Sequence, residues 1–242
     1  MNQETDLQTH RLQLYTRPNL SWEKNEFRMG VIPNVTWEHH PKQGESKVYF
    51  NPQWYVRHRL SSRWSIHASA ALQHRSENPE AYYPTPYYRN YRTLVHMKKE
   101  LGKTQSQSYM LYTEYKRPVK EFFWTLMLNH FNIRQDYLMH TEYQDNQFKL
   151  TSLEHPHRTE NYQARSLISK GFYSWNLKAS LEAVYQYGKG LQAGQGIVQP
   201  YENHWLSLKP KLNWNPTHWL TASYQAEIGC SRTISLPTLW EV

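Results

Sequence analysis

Apolar and polar residues alternate with period two along most of this chain. Leu12, Leu14, Thr16, Pro18, Leu20 and Trp22 face Gln13, Tyr15, Arg17, Asn19 and Ser21 across a strand, and the pattern resumes as Phe27, Met29, Val31, Pro33, Val35, Trp37. It recurs through Val48–Val56, Trp64–Leu72, Phe122–Leu128, Trp175–Tyr187, Leu206–Trp214 and Leu220–Ile228. Side chains alternate across a strand, so each segment has one apolar and one wet face. The spacing predicts ten strands, approximately 9–22, 27–39, 46–60, 63–75, 104–117, 121–142, 147–170, 173–188, 204–215 and 218–231. Prolines inside these strands, such as Pro18, Pro33, Pro52 and Pro210, forfeit a ladder hydrogen bond, so bulges are expected there.

Connections of two kinds separate the strands. Glu23–Glu26, Ser61–Ser62, Pro118–Lys120, Gly171–Phe172 and Pro216–Thr217 are tight, and long loops near 76–103 and 189–203 lie between them. Short turns at one end and long loops at the other describe an antiparallel up-and-down meander of the transmembrane β-barrel type. The expected fold is therefore all-β, with about ten long strands forming part of a barrel, or a small complete one. Residues 1–8 are expected to be a disordered N-terminal segment, 9–231 the barrel domain, and 232–242 a C-terminal tail.

Two environments suit such apolar faces: a packed sandwich core, or lipid. Sandwich strands average about 5–6 residues, whereas these mostly reach about 13, more than the 9–11 that cross a bilayer at a tilt. Trp22, Trp64, Trp175, Trp214 and Trp219 sit beside the short turns, where an aromatic girdle at one membrane interface would place them. The polar faces carry Arg17, Arg28, Asn34, Asn51, Arg57, His67, Lys178, Glu182, Lys209, Lys211 and Glu227, as a hydrated lumen would.

Composition narrows the function. Aromatics make up 15% of the 242 residues, which opposes disorder. The single cysteine, Cys230, excludes a disulfide framework and falls on the apolar face, where an inert thiol is expected. The net charge of +8 is scattered rather than striped, so no nucleic-acid partner is expected. The first ten residues lack the basic and apolar regions of a secretory signal, so the expectation is either a cytosolic protein or a piece beginning inside a larger exported one. No nucleophile–His–acid set can be assembled, so no catalytic role is expected. His155 and His157 lack a third ligand, Gly188–Gly196 does not match a phosphate-binding loop, and no metal or cofactor is expected. One cluster stands out as a ligand candidate: Tyr82, Tyr83, Tyr87, Tyr88, Arg89, Tyr91 and Arg92, in the longest loop. Aromatic faces and guanidinium groups suit sugar rings, planar chelates or anionic siderophores.

Three stretches carry a family likeness. The first is Leu206-Ser-Leu-Lys-Pro210-Lys-Leu-Asn-Trp-Asn-Pro216 followed by Trp219-Leu-Thr-Ala-Ser-Tyr224. The second is Tyr82-Tyr-Pro with Tyr88-Arg-Asn-Tyr-Arg-Thr93. The third is Glu100–Ser108 followed by Tyr115-Lys-Arg-Pro-Val-Lys-Glu-Phe-Phe123. In this order they resemble the barrel hairpins and outer segments of TonB-dependent outer-membrane receptors of the Bacteroidetes type. The resemblance implies a Gram-negative outer-membrane location and uptake of a siderophore, glycan or similar nutrient. It also implies partners: outer-membrane lipid, the remaining strands of a 22-stranded barrel, and a surface lipoprotein lid. The plug domain, with its link to the TonB complex, has no counterpart in these residues, so the expectation is a C-terminal portion of the barrel. A soluble all-β carbohydrate-binding or adhesion module is the alternative.

Overall fold

In the computed structural model, residues 12–40, 45–75, 85–97, 103–144, 146–194 and 197–235 are described. The strands are β1 (Leu12–Thr16), β2 (Leu20–Lys24), β3 (Phe27–Ile32), β4 (Val35–His40), β5 (Glu45–Phe50), β6 (Gln53–Arg59), β7 (Trp64–Arg75) and β8 (Tyr87–Asn90). They continue as β9 (Thr93–His96), β10 (Thr104–Arg117), β11 (Phe122–Gln144), β12 (Gln147–Phe172), β13 (Leu177–Gly194), β14 (Ile197–Thr217), β15 (Leu220–Gln225) and β16 (Ile228–Ser235).

Apart from the β8–β9 hairpin, the strands form one antiparallel meander of ten ribbons. Six ribbons are single strands; the others are β1 with β2, β3 with β4, β5 with β6, and β15 with β16. The first and last ribbons form the two edges of an open sheet. The all-β, long-strand architecture is as the alternation predicts.

The divided ribbons break at proline. Pro18 and Pro33 are opposed, because Thr16 pairs with Val35 on one side of the break and Leu20 with Val31 on the other. By the same count Pro33 opposes Pro52. Three prolines in register remove three neighbouring donors, so the ladder stops and the sheet creases, although the backbone N–H of Asn51 still reaches the carbonyl of Asn34 at 2.7 Å. Pro210 stays inside β14; the gap falls opposite it, between β15 and β16, where Ala226 N–H donates to the Pro210 carbonyl at 3.1 Å.

Two expectations need correction. Residues 189–203 are not a long loop, because β13 runs to Gly194 and β14 starts at Ile197. Gly188 and Gly190 have a steric role here: a Cβ on Gly188 would stand 2.7 Å from Asn161 Oδ1, and one on Gly190 3.0 Å from Thr159 Oγ1. The turn after β12 is Tyr173–Trp175, with Asn176 left-handed at φ 47°, rather than Gly171–Phe172, which lie in the strand. Within 76–103, the described part holds β8 and β9, and of the expected tail 232–242, residues 232–235 belong to β16.

The strands are staggered. A single register row runs Leu20–Val31–Trp54–Ala70–Tyr109–His130–Tyr162–Tyr187–His204–Arg232. The short-turn end lies four residues beyond this row at Lys24 of β2 and twelve beyond it at Leu220 of β15. That is about 0.9 residue per strand, which with ~3.3 Å per residue and ~4.8 Å between strands is a tilt of roughly 32°. Closed barrels typically tilt ~35–45°.

Candidate functional site

The two faces of the tilted sheet differ in chemistry, and the difference follows the register. On the outer face, no Asp, Glu, Lys or Arg occurs among alternate residues from Leu14 to Trp22, Phe27 to Trp37, Val48 to Val56, Trp64 to Leu72 and Tyr109 to Tyr115. The same holds from Phe122 to His130, Tyr162 to Ile168, Leu177 to Tyr187, His204 to Trp214 and Ala222 to Cys230. These side chains stay open: Leu14, Leu20, Met29, Leu111, Leu128, Leu181, Leu206 and Leu212 are all exposed. Among the described residues only Val95, Met97, Leu138 and Val184 are buried hydrophobics, and no second sheet covers this face.

Aromatic belts bound the uncharged band. Beside the short turns stand the five predicted tryptophans. Trp22 meets Phe27 edge-on at 5.9 Å, Trp64 meets Tyr115 and Trp124, and Trp175 stacks on Phe172. Trp64 Nε1 donates to Thr113 Oγ1 at 2.8 Å and Trp214 Nε1 to the Trp175 carbonyl at 3.0 Å, so each indole N–H has a partner. Trp219 is exposed in the turn before β15. Lys170 extends over Phe172 and donates to the Lys120 carbonyl, its stem along the apolar face and its charge at the turn.

A second belt lies at the loop end: Tyr109, His130, Tyr162, Tyr187 and His204. Their rings touch in sequence, at 5.9, 4.3, 6.0 and 4.8 Å between centroids. Sequence reading missed it. Two members are histidines, and only the register aligns the five strands; the signal available was that Tyr187 closes its alternating run. On β13 the belts are ten residues apart, from Leu177 to Tyr187. At the tilt above this is a band ~28 Å tall, against the ~25 Å apolar band of membrane barrels.

Charge returns level with the second belt at Arg232 of β16, opposite His204, and one step beyond it on β12 and β13. Glu160 accepts from Arg158 Nε at 2.9 Å, Lys189 Nζ at 3.3 Å and Tyr162 Oη at 3.1 Å. Burial disfavours the charged Glu160 carboxylate, but the hydrogen bonds from Lys189 and Tyr162 and the charge of Arg158 outweigh it and lower its pKa. The same bond to Glu160 raises the pKa of Lys189. The stabilisation from Glu160 is therefore complete above its unfolded value near 4.5 and is lost as pH falls through its lower folded value. That from Lys189 is complete below 10.5 and is lost as pH climbs through its raised folded value. Glu160→Gln should lower the melting temperature at neutral pH and flatten its fall on the acid side, as read by thermal unfolding across pH 2–7 in ~0.1 M salt. An acid limb identical to wild type would rule this out.

The inner face is mostly polar, with Phe123, Met127, Leu167 and Val184 among its apolar members. Arg165 pairs with Glu182 at 3.1 Å, and Lys209 with Glu227 at 2.8 Å, where Glu227 also accepts from the buried Ser207 hydroxyl. Towards the loop end this face encloses a recess of 720 Å³ reached by strands from β1 round to β14. Carboxamides dominate its lining: Asn34, Asn51, Gln53, Gln73, Asn161, Gln163, Gln186 and Asn203. Thr104, Ser106 and Ser108 add hydroxyls, Phe131 and Tyr201 aromatic rings, and Arg17 and Arg75 charge. Among the described residues no Asp or Glu lines it.

Above the recess the distal ends of β11 and β12 bend over. The register slips between Gln135 and Tyr137, opposite Pro156, and the hairpin tip then takes new neighbours. Thr93–His96 of β9 pair in parallel with Phe148–Thr151 of β12, and Ala193–Gly194 of β13 in parallel with His140–Thr141 of β11. Val95 and Met97 are the buried centre of this cap, with Tyr87, Tyr137, Met139 and Leu150 packed against them.

The cap divides the predicted ligand cluster. Tyr87 packs inward as a cap residue, whereas Tyr88 and Tyr91 are 59% and 80% exposed. Tyr88 Oη lies 3.4 Å from Gln147 Oε1, and the Arg92 guanidinium lies 5.2 Å from the Tyr91 ring centre. Arg89 is exposed on β8, and Tyr82 and Tyr83 lie outside the described residues. The described members thus share a hairpin without converging on one pocket. His155 and His157 flank Pro156 in β12, with His157 Nδ1 at 3.2 Å from the His155 carbonyl. Cys230 is exposed on the outer face opposite Leu206. No family model, curated protein or solved structure matches the chain.

Proposed function

We propose that this chain forms lipid-facing wall of a Gram-negative outer-membrane β-barrel of the TonB-dependent receptor type, which takes up a siderophore, glycan or similar nutrient. One observation carries the membrane part: the outer face has a band without Asp, Glu, Lys or Arg on all ten ribbons, bounded on five of them, β10 to β14, by the second aromatic belt. A sheet face in water has no reason to exclude charge, whereas in lipid each would be costly. The curled inner face supports the transport part, because it offers a polar surface where a plug and a passing ligand would lie. On this reading the edge ribbons pair with further strands, since backbone groups left open in lipid cost several kcal/mol each. The cap and the exposed tyrosines of β8 form the outward end, where a lipoprotein lid would sit.

Tryptophan fluorescence in vesicles tests the wall. Trp54 and Trp124 occupy outer-face positions and Trp205 an inner one. Single-tryptophan proteins retaining Trp54 or Trp124 should be quenched strongly by brominated acyl chains, and one retaining Trp205 weakly. Equal quenching at all three, or a monodisperse protein without detergent that melts cooperatively, would favour the soluble module.

A further inference from the structure

We infer that the inner recess binds an anionic oligosaccharide, with Arg17 and Arg75 meeting its acidic group and the carboxamide row its hydroxyls. The inference rests on the transport reading above and adds the chemistry of what the wall admits.

Charge is the first argument. Elsewhere on the inner face Arg165 and Lys209 each have a glutamate, but among the described residues the recess is lined by two guanidinium groups and no acid. Among the described residues neither Arg17 nor Arg75 forms an ion pair or hydrogen bond. Arg17 and Arg75 stand three ribbons apart on a curled sheet, facing the same 720 Å³ space. A cationic ligand would be repelled there, and an anionic one held by charge-assisted bonds.

The neutral lining supplies the second. A carboxamide both donates and accepts, as a sugar hydroxyl does, so a row of them satisfies ring hydroxyls in either direction. The flanking registers set that row: Arg17, Asn34, Asn51, Gln73 and Ser106 fall opposite one another on five successive ribbons, the Asn51 carboxamide being held by the His74 backbone. Asn34 Oδ1 is enclosed and accepts no hydrogen bond among the described residues. An apolar nutrient would strip water from these groups without replacing its bonds.

Shape is the third. Phe131 and Tyr201 offer flat apolar faces for the C–H side of a pyranose, and between them the Asn161 carboxamide lies over Gly188. The volume lies within the ~300–1,000 Å³ of ordinary small-molecule sites and takes about two or three sugar rings.

The full chain, folded in detergent micelles or vesicles, should be titrated calorimetrically with the trisaccharide of galacturonic acid and with the uncharged galactose trisaccharide of the same linkage. The acidic probe should bind about tenfold or more tightly than the neutral one, and more weakly as salt rises. Arg17→Gln and Arg75→Gln should each cost about tenfold towards the acidic probe and leave the neutral one unchanged. Both residues lie off the apolar face, so brominated-lipid quenching should not alter. Equal affinity for the two probes, binding of neither, or arginine variants that bind the acid like wild type would overturn the inference, provided the protein passes the quenching test. Wild-type protein that fails the quenching test refutes the wall itself, and acid-selective binding in such a protein would place the saccharide site on a soluble module.

Discussion

Leu181→Arg should destabilise the lipid-inserted protein by ~2–4 kcal/mol, the penalty for arginine near the bilayer midplane on a barrel's lipid face. Leu181 lies almost midway between the belts, opposite Ile168 and Pro210, and is 43% exposed. Its neighbour Ser180 points to the inner face, between Ser169 and Lys211. Ser180→Arg should therefore change stability by no more than ~0.5 kcal/mol, the usual range for a hydrated surface position. Urea unfolding of the two variants in vesicles, one residue apart and each introducing an arginine, compares the two faces. In water the ranking would vanish, because an exposed leucine gives way to arginine at little cost. A Leu181→Arg protein as stable as wild type would refute the lipid assignment.

The second large effect is expected in the cap. Val95 is fully buried, and Val95→Asp would place a carboxylate against the apolar side chains of Met97, Tyr137 and Leu150. An uncompensated buried charge costs several kcal/mol, more than so small an apolar centre supplies, so the β8–β9 hairpin should detach. The wall below does not depend on these contacts. Limited proteolysis should then cut between Tyr87 and His96 while tryptophan quenching by brominated lipid stays as in wild type. If the whole chain unfolds, or if the hairpin stays resistant, cap and wall are not the separable units described here.

Alternation made the wall legible because a period of two is a local property, and Leu177-Lys-Ala-Ser-Leu-Glu-Ala-Val-Tyr already separates its two faces. The tryptophans beside the short turns were legible for the same reason. Whatever depends on the neighbouring strand was not. Tyr109, His130, Tyr162, Tyr187 and His204 become one belt only through five registers, and a histidine read alone counts as polar. Gly188 and Gly190 read as loop, yet their missing side chains leave room for Asn161 and Tyr201 on adjoining strands. The clustered tyrosines of 82–92 read as one surface, but strand alternation sends Tyr87 and Tyr88 to opposite sides of β8. Pro18, Pro33 and Pro52 read as separate bulges, although their shared register makes them one fold line.

That fold line bears on the chain before it is folded. On the proposed membrane reading, the polypeptide must first cross water with its alternating segments open, and such segments are prone to stack into cross-β aggregates. Proline cannot donate to a growing fibril ladder, and breaking an apolar run with one is a recognised guard against that fate. The rings at 18, 33 and 52 leave segments such as Leu12–Thr16 and Leu20–Lys24 too short to seed fibrils readily. The same residues that crease the finished wall thus give the travelling chain a measure of solubility.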